Sequence, residues 1–143
     1  MGLLRLTHVR PEVTADATVL ATVKIMSEAA IGAIAVKDGK KIAGIFTERD
    51  LMTRVVTRGL DPATTRISEV MTSDVVTVLD STPVPKATAL MRLRRIRHLV
   101  IVDENGNYLG MLAQRHLLYD LMSELEVKVG DLAGYLMTDG PGG

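Results

Sequence analysis

The chain has 143 residues, of which 47% are hydrophobic and 24% are charged, a composition typical of one globular domain with its own core. Seventeen basic and seventeen acidic residues cancel, so the net charge does not indicate nucleic acid or a membrane surface as a partner. No apolar stretch approaches the roughly 20 residues of a membrane helix. The absence of cysteine excludes disulfides and thiolate metal sites. Because no signal peptide is recognisable either, we expect a cytoplasmic protein.

The first half of the chain predicts strand, helix, two strands and helix. The segment VRPEVTA (9–15) is expected to be a short strand, and apolar residues recur at helical spacing over 19–30. Two β-type runs, GAIAV (32–36) and KIAGIF (41–46), flank the hairpin turn KDGK. The next predicted helix ends at Gly59, a residue type that favours helix termination.

A connector over 61–74 follows, with a short helical turn expected at 68–71. The second half then repeats the pattern of the first. It predicts a strand at VVTV (75–78), a helix that begins near Pro83, and two strands around the turn DENGN. The last residues, 125–143, are expected to form an accessory helix and a frayed tail, TDGPGG.

Internal similarity is the most informative feature of the sequence. Met26 aligns with Met91 across 65 residues, and Gly44 aligns with Gly110 across 66, so the second hairpin has one added residue. We assign the chain to four parts: repeat 1 (1–60), connector (61–74), repeat 2 (75–124), and accessory helix with tail (125–143). Neither repeat would bury its sheet alone. The prediction is an α+β fold in which two helix-strand-strand-helix repeats pack about a pseudo-twofold axis.

The stretch GIFTERDL (44–51) supports two interpretations. A Thr followed three residues later by an acid, ahead of apolar residues, predicts a capping box that satisfies backbone donors of a first helical turn. The same geometry suits a nucleotide, because a helix N-terminus attracts phosphate. Thr47 would add a hydroxyl donor, and Asp50 would accept hydrogen bonds from both ribose hydroxyls. The spacing alone leaves both interpretations open.

The duplicated unit carries IGAIAV and KIAGIFTERDL in one copy and IRHLVIVDENGNYLG in the other. It resembles a pair of CBS domains, or Bateman module, over about residues 10 to 123. The family motif is a Gly, two apolar residues, Thr or Ser, two variable residues and Asp, and residues 44–50 match it in full. The resemblance implies a ligand-sensing module that binds an adenine nucleotide between its repeats. AMP, ADP or ATP is the expected ligand, with NAD(H) and S-adenosylmethionine as alternatives, and the fold needs no metal.

The resemblance also implies which residues contact the nucleotide. Asp50 would hold the ribose and Thr47 a phosphate oxygen, and the motif is completed by Glu48 and Arg49. Small apolar side chains and backbone amides would enclose the base, and these belong to Val13, Thr14, Gly32, Ala33 and Ile34. The phosphates would meet Arg97 and His98. A basic run of this kind can also simply face solvent, although the guanidinium fork suits phosphate.

No catalytic set is recognisable in the sequence, so we expect a protein that is not an enzyme. Two alternatives remain open: a structural dimerisation module with a vestigial cleft, and a nucleic-acid-binding protein that uses the basic helix 86–97. The neutral net charge and the few aromatic residues argue against the second alternative. Apolar residues in DLMTRVV and HLLYDLM predict a homodimer. The sequence does not identify a regulated protein partner.

The second repeat departs from the motif of the first. Ala113 stands where the first repeat has Thr47, and His116 stands where it has Asp50. Ala113 has no polar side-chain atom, and a neutral imidazole offers one acceptor where a carboxylate can accept from two hydroxyls at once. The sequence therefore predicts one nucleotide site per chain.

Overall fold

The computed structural model of the chain describes residues 2–7 and 10–139, with side chains described through residue 133. A short 3-10 helix, Leu3–Leu6, precedes the first repeat. That repeat consists of β1 (Glu12–Thr14), α1 (Val19–Ala29), β2 (Ala33–Asp38), β3 (Lys41–Thr47) and α2 (Glu48–Asp50), which continues as a π-helical segment, Leu51–Val56. After α3 (Ile67–Val70), the second repeat consists of β4 (Thr77–Leu79), α4 (Val84–Arg94), β5 (His98–Val102), β6 (Tyr108–Ala113) and α5 (Gln114–Asp139).

Each repeat forms one three-stranded sheet with the same topology. In the first sheet β1 pairs parallel with β2, and β2 pairs antiparallel with β3. The strands β4, β5 and β6 repeat this arrangement in the second sheet. The predicted α+β fold with two related repeats is confirmed.

The turn between the first helix and the central strand is the same in both repeats. Ala30 and Arg95, which are 65 residues apart, end α1 and α4 in the left-handed conformation with φ of 53° and 54°. In both turns the following amide donates to a carbonyl five residues back at 3.0 Å, which satisfies a free acceptor at the helix end. The duplication therefore extends to backbone conformation.

The two sheets share a core because side chains alternate along their central strands. In β2, Ile34 and Val36 face the helices of their own repeat. Ala33 and Ala35 face the other way, into a cluster with Val100, Val102, Tyr108 and Met111 of the second repeat. Burial of this apolar surface is the main force that joins the repeats. Polar contacts add to it, since the Tyr108 hydroxyl donates to the Pro11 carbonyl at 2.9 Å.

The helix predicted after the motif is π-helical over Leu51–Val56. The Thr57 amide donates to the Met52 carbonyl, five residues back, at 3.1 Å. The hydroxyls of Thr53 and Thr57 each donate to the carbonyl four residues back, and such bonds compete with a regular α-helical ladder. Gly59 follows with φ of +66°, consistent with its predicted role as a stop.

The predicted accessory helix is not a separate element. A single 26-residue helix, α5, runs through the proposed boundary between 124 and 125. The chain has no proline between 114 and 139, and one or two glycines can be tolerated within a helix. Of the predicted tail, residues 140–143 lie outside the described residues. None of the described helices has the apolar length required to cross a membrane.

The connector packs against β3 at a glycine. Ile45 and Thr72 exchange two backbone hydrogen bonds of 2.9 and 2.8 Å. A Cβ atom on the preceding Gly44 would lie 2.6 Å from the Met71 sulfur and 2.7 Å from the Thr72 carbonyl oxygen. A side chain at this position would therefore push the connector away from the strand.

We expect Gly44→Ala to lower the free energy of unfolding by about 1–3 kcal/mol, because the methyl group must displace backbone. Urea denaturation measures the change. Gly110→Ala is the matched control in the second repeat, where the nearest atom to a Cβ is Leu4 Cδ2 at 2.9 Å, the end of a side chain that can move. Equal losses for the two variants would contradict this explanation.

Candidate functional site

A cavity of about 210 Å³ lies where the motif of the first repeat meets the second repeat. We call it the motif cleft. Its walls come from the first repeat, the connector and the turn between α4 and β5. The lining residues are Gly32, Ile45, Thr47, Glu48 and Arg49, then Thr72, Asp74, Val75 and Val76, then Arg95, Ile96, Arg97, His98 and Val100. Residues distant in sequence therefore form one site.

Six of the residues expected at the ligand line this cleft: Gly32, Thr47, Glu48, Arg49, Arg97 and His98. Sequence reasoning missed Arg95, the connector residues Thr72 and Asp74, and Val75 and Val76 at the start of the second repeat. The pseudo-twofold symmetry is the signal that could have found the connector, because the motif of one repeat faces the segment that opens the other repeat.

Four other residues expected around the base do not line the motif cleft among the described residues. Val13 and Ile34 are buried in the core of the first repeat. Ala33 lies in the core between the sheets and borders a different, smaller cavity. The Thr14 hydroxyl donates to the Asp16 carboxylate at 2.6 Å in an exposed turn. Contact of these residues with a base stays a prediction, and the end of the connector and the start of the second repeat lie in the cleft instead.

Thr47 and Asp50 form a capping box. The Thr47 hydroxyl oxygen accepts from the Asp50 amide at 3.1 Å, and Asp50 Oδ2 accepts from the Thr47 amide at 3.0 Å. Each side chain thus satisfies a backbone donor at the start of α2. The capping interpretation of the motif is confirmed. It leaves the Thr47 hydroxyl proton available to donate into the cleft.

The Asp50 carboxylate also ties the motif to the connector. The Thr72 hydroxyl lies 3.1 Å from Asp50 Oδ1 and 3.3 Å from Oδ2. Arg54 Nε lies 3.6 Å from Oδ1, while Arg54 Nη1 donates to the Met71 carbonyl at 2.8 Å. Asp50 is only 6% exposed. A ribose hydroxyl would therefore have to replace the Thr72 hydroxyl to reach this carboxylate.

A larger cavity of about 660 Å³, the axial cavity, adjoins the motif cleft between α1 and α5. Both cavities are bordered by Gly32, Glu48, Arg97 and His98. Arg115 borders the axial cavity but not the motif cleft. The guanidinium groups of Arg97 and Arg115 outnumber the Glu48 carboxylate there, so this region is locally cationic in a chain of zero net charge. Such a region attracts anionic groups such as phosphate.

His98 lies at the centre of this cationic region. Burial, the largest cause, acts together with the nearby charges of Arg115, Arg97 and His116 to lower its pKa to about 4. The imidazole is therefore neutral at pH 7, because a buried cation among other cations is unfavourable. A neutral His98 can still donate or accept one hydrogen bond.

The second repeat keeps the helix cap, but its counterpart of the motif cleft is small. The Ala113 amide donates to His116 Nδ1 at 3.0 Å, the same contact that the Thr47 amide makes with Asp50. The corresponding cavity, lined by Ala33, Ala113 and His116 among others, measures about 10 Å³. Among the described residues, no group of three or more His, Asp or Glu side chains could hold a metal ion.

We expect the stability of the chain to fall as the pH drops through the titration of His98. A histidine whose folded pKa lies below its ordinary value of 6.5 contributes stability that is present above pH 6.5 and is lost as the pH falls towards about 4. His98→Gln should remove that part of the loss, so the difference in unfolding free energy between variant and parent should shift in favour of the variant from pH 7 to pH 5. Urea denaturation at both values checks this, and a pH-independent difference would contradict it.

Comparison with known proteins identifies the family. The model of the CBS domain matches residues 8–57 and 67–123. The chain is 31% identical over 128 residues to the mitochondrial CBS domain-containing protein CBSX3 of Arabidopsis thaliana, which covers 86% of this chain and 62% of that protein. It is 32% identical over 115 residues to CBS domain-containing protein CBSCBSPB1 of the same plant, which covers 80% of this chain and 21% of that protein. The chain thus spans between about a fifth and about three fifths of these relatives.

Solved structures share the fold. A protein with CBS domains from Burkholderia ambifaria has 34% sequence identity and a TM-score of 0.78, over 85% of this chain and 91% of that chain. A CBS domain protein from Pyrobaculum aerophilum, complexed with AMP, has 26% identity and a TM-score of 0.73, over 86% of this chain and 99% of that chain. With two matched domains, two equivalent sheets and one shared core, this chain belongs to the CBS domain family.

Proposed function

We propose that this chain is a regulatory module that binds an adenine nucleotide in the motif cleft. The observation that carries the proposal is the meeting of Thr47, from the motif of the first repeat, with Arg95 and Arg97, from the second repeat, around one cavity. A hydroxyl donor and two guanidinium groups that converge from different repeats suit a phosphate group. The AMP complex of the related Pyrobaculum aerophilum protein supports an adenine nucleotide as the ligand.

Each part of the nucleotide has a counterpart in the cleft or, for Asp50, behind the Thr72 side chain that lines it. The phosphate would accept from the free proton of the Thr47 hydroxyl and from Arg97. The ribose would lie against Asp50 and take over the hydrogen bonds that Thr72 now donates. The base would lie along the apolar side chains of Ile45 and Val75.

AMP is the simplest ligand for the cleft, and longer ligands have room beside it. The axial cavity shares Arg97 and His98 with the motif cleft, and its lining adds Arg115 to the cationic surface. Further phosphates of ADP or ATP, or the second half of NAD(H), would extend into this space. S-adenosylmethionine, which is a cation at its sulfonium, suits the cationic wall less well.

A non-catalytic role is part of the proposal. The related proteins from Arabidopsis thaliana are described as CBS domain-containing proteins and not as enzymes. Ligand binding would act by favouring one arrangement of the connector against the motif, since a ligand shifts a conformational equilibrium only through its different affinity for two states. The cytoplasmic location stays a prediction.

A structural dimerisation module is the second candidate, and two observations favour it. The motif cleft of about 210 Å³ is smaller than the roughly 300–1,000 Å³ of most ligand pockets. Apolar surface is exposed on the π-helical segment, at Met52 and Val56, and on α5, at Leu118 and Tyr119. Such surface suits an interface between copies. Nucleotide binding therefore decides between the two candidates.

We expect millimolar AMP, ADP or ATP to raise the melting temperature by mass action, and a pyrimidine nucleotide to raise it less. Asp50→Asn should weaken AMP binding by about 5- to 150-fold, the equivalent of roughly 1–3 kcal/mol for hydrogen bonds to a charged group. Calorimetry below the melting temperature of the variant measures this affinity. Asn is preferred to Ala because its amide oxygen can still accept from the Thr47 amide and preserve the cap. Unchanged affinity in Asp50→Asn would exclude the proposed ribose contact.

We expect one adenine-nucleotide site per chain. The second repeat lacks the Thr hydroxyl at Ala113, and its cavity of about 10 Å³ has no room for a nucleoside. His116→Asn is the matched control for Asp50→Asn because both residues accept from a backbone amide at the same point of their repeats. Calorimetry should give a stoichiometry near one, with AMP affinity nearly unchanged in His116→Asn. Two equal sites, or greater sensitivity to His116 than to Asp50, would contradict the assignment.

A further inference from the structure

The C-terminal part of α5 carries an exposed apolar stripe. Leu118, Met122, Leu125, Val129 and Leu132 are spaced by four, three, four and three residues. Their exposed fractions are 52%, 47%, 51%, 65% and 61%. None of the five belongs to the core clusters of the described chain. The stripe is therefore unexplained by the packing of the domain.

The alternating spacing has the period of a coiled coil. Steps of four and three residues average 3.5, which keeps a seam on one side of a supercoiled helix pair. In heptad positions, Leu118, Leu125 and Leu132 occupy d, and Met122 and Val129 occupy a. Among parallel coiled coils, Leu at d with a β-branched residue such as Val129 at a favours two strands. The stripe therefore suits a second helix with the same pattern.

We propose that residues 118–132 of α5 pair with the same segment of a second copy of this chain in a parallel, two-stranded coiled coil. This surface is separate from the motif cleft, and the proposal does not depend on nucleotide binding. It assigns the dimer interface to α5 and the two helices to a parallel orientation. The exposed apolar residues of the repeats, such as Met52 and Val56, do not define either by themselves.

The charged residues beside the seam agree with a parallel pair. In that orientation a g position faces the e position five residues further along the partner helix. Lys128 at g then faces Ala133 of the partner subunit, and Leu121 at g faces Glu126 of the partner subunit. No like charges meet. In the antiparallel register that pairs Leu125 with Val129 of the partner subunit, Lys128 would face its own copy and Glu126 its own copy, and both contacts would be repulsive.

The seam also continues onto the domain. Leu118, its first residue, borders the axial cavity and a further groove of about 800 Å³ between α4 and α5. That groove is lined by apolar side chains such as Val84, Met91 and Leu121, with charged groups at its edge. A parallel pair would bring the two domains to the same end of the helices. Two heptads alone form a marginal helix pair, so this continuous apolar surface would contribute to the dimer.

Sedimentation of the full chain tests the proposal. The parent, of 15.5 kDa, is expected to sediment as a dimer at micromolar concentrations. Leu125→Lys should weaken dimerisation by roughly 100-fold or more, because a charge at d would be buried without a partner. Val127→Lys is the matched control, since Val127 is 62% exposed and lies at f, away from the seam. Thermal unfolding under monomeric conditions should be similar for both variants, because neither residue belongs to the core.

A single cysteine tests the orientation, because the native chain has none. Leu132→Cys should form a disulfide-linked dimer on mild oxidation, since parallel strands bring the two thiols together. In the antiparallel pair the two Cβ atoms would be separated by about 15 Å along the axis, from ten residues at 1.5 Å each, which a disulfide cannot span. A monomeric parent, or a dimer that survives Leu125→Lys, would overturn the coiled coil. Absence of the cross-link in a dimeric variant would overturn the parallel orientation.

Discussion

The carboxylate of Asp50 is the contact on which the motif cleft depends. It caps α2 through the Thr47 amide, accepts from the Thr72 hydroxyl and lies beside Arg54, which in turn holds the Met71 carbonyl. The connector is thereby fixed against β3, and the connector forms one wall of the cleft. Because the same carboxylate would have to accept from a ribose, a ligand there competes with a bond that holds the wall in place. In the proposed complex, occupancy of the cleft and the position of the connector would therefore be linked by one group.

The duplication shows which features the fold requires and which it does not. Both repeats keep a left-handed residue at the end of the first helix and an acceptor side chain that caps the last helix. Asp50 is that acceptor in the first repeat and His116 is that acceptor in the second, so the fold requires an acceptor and not a carboxylate. The hydroxyl of Thr47 has no counterpart at Ala113. Its presence in one repeat only is what makes the two clefts chemically different.

Local charge in this chain differs from its net charge. Arg97 and Arg115 come from different elements and meet at the axial cavity, although basic and acidic residues are equal in number. His98 lines the same cavity and stays neutral at pH 7 because burial and the two guanidinium groups both oppose its protonation. The result is a cationic wall with a neutral hydrogen-bonding group at its centre, an arrangement that suits an anion without adding another buried charge.

The sequence by itself determined the two repeats, their strand and helix order and the capping box, because these depend on local spacing and on a pattern that occurs twice. It also placed Thr47 beside Arg97 through the family resemblance. Only the tertiary structure decided that the end of the connector and the start of the second repeat close the cleft and that Val13 and Thr14 do not, because the fold faces each motif towards the opposite repeat. The sequence could not predict either that a hydroxyl covers the Asp50 carboxylate. That hydroxyl lies 22 residues away, and the Ile45–Thr72 backbone pairing that brings it there forms only when the connector packs on β3.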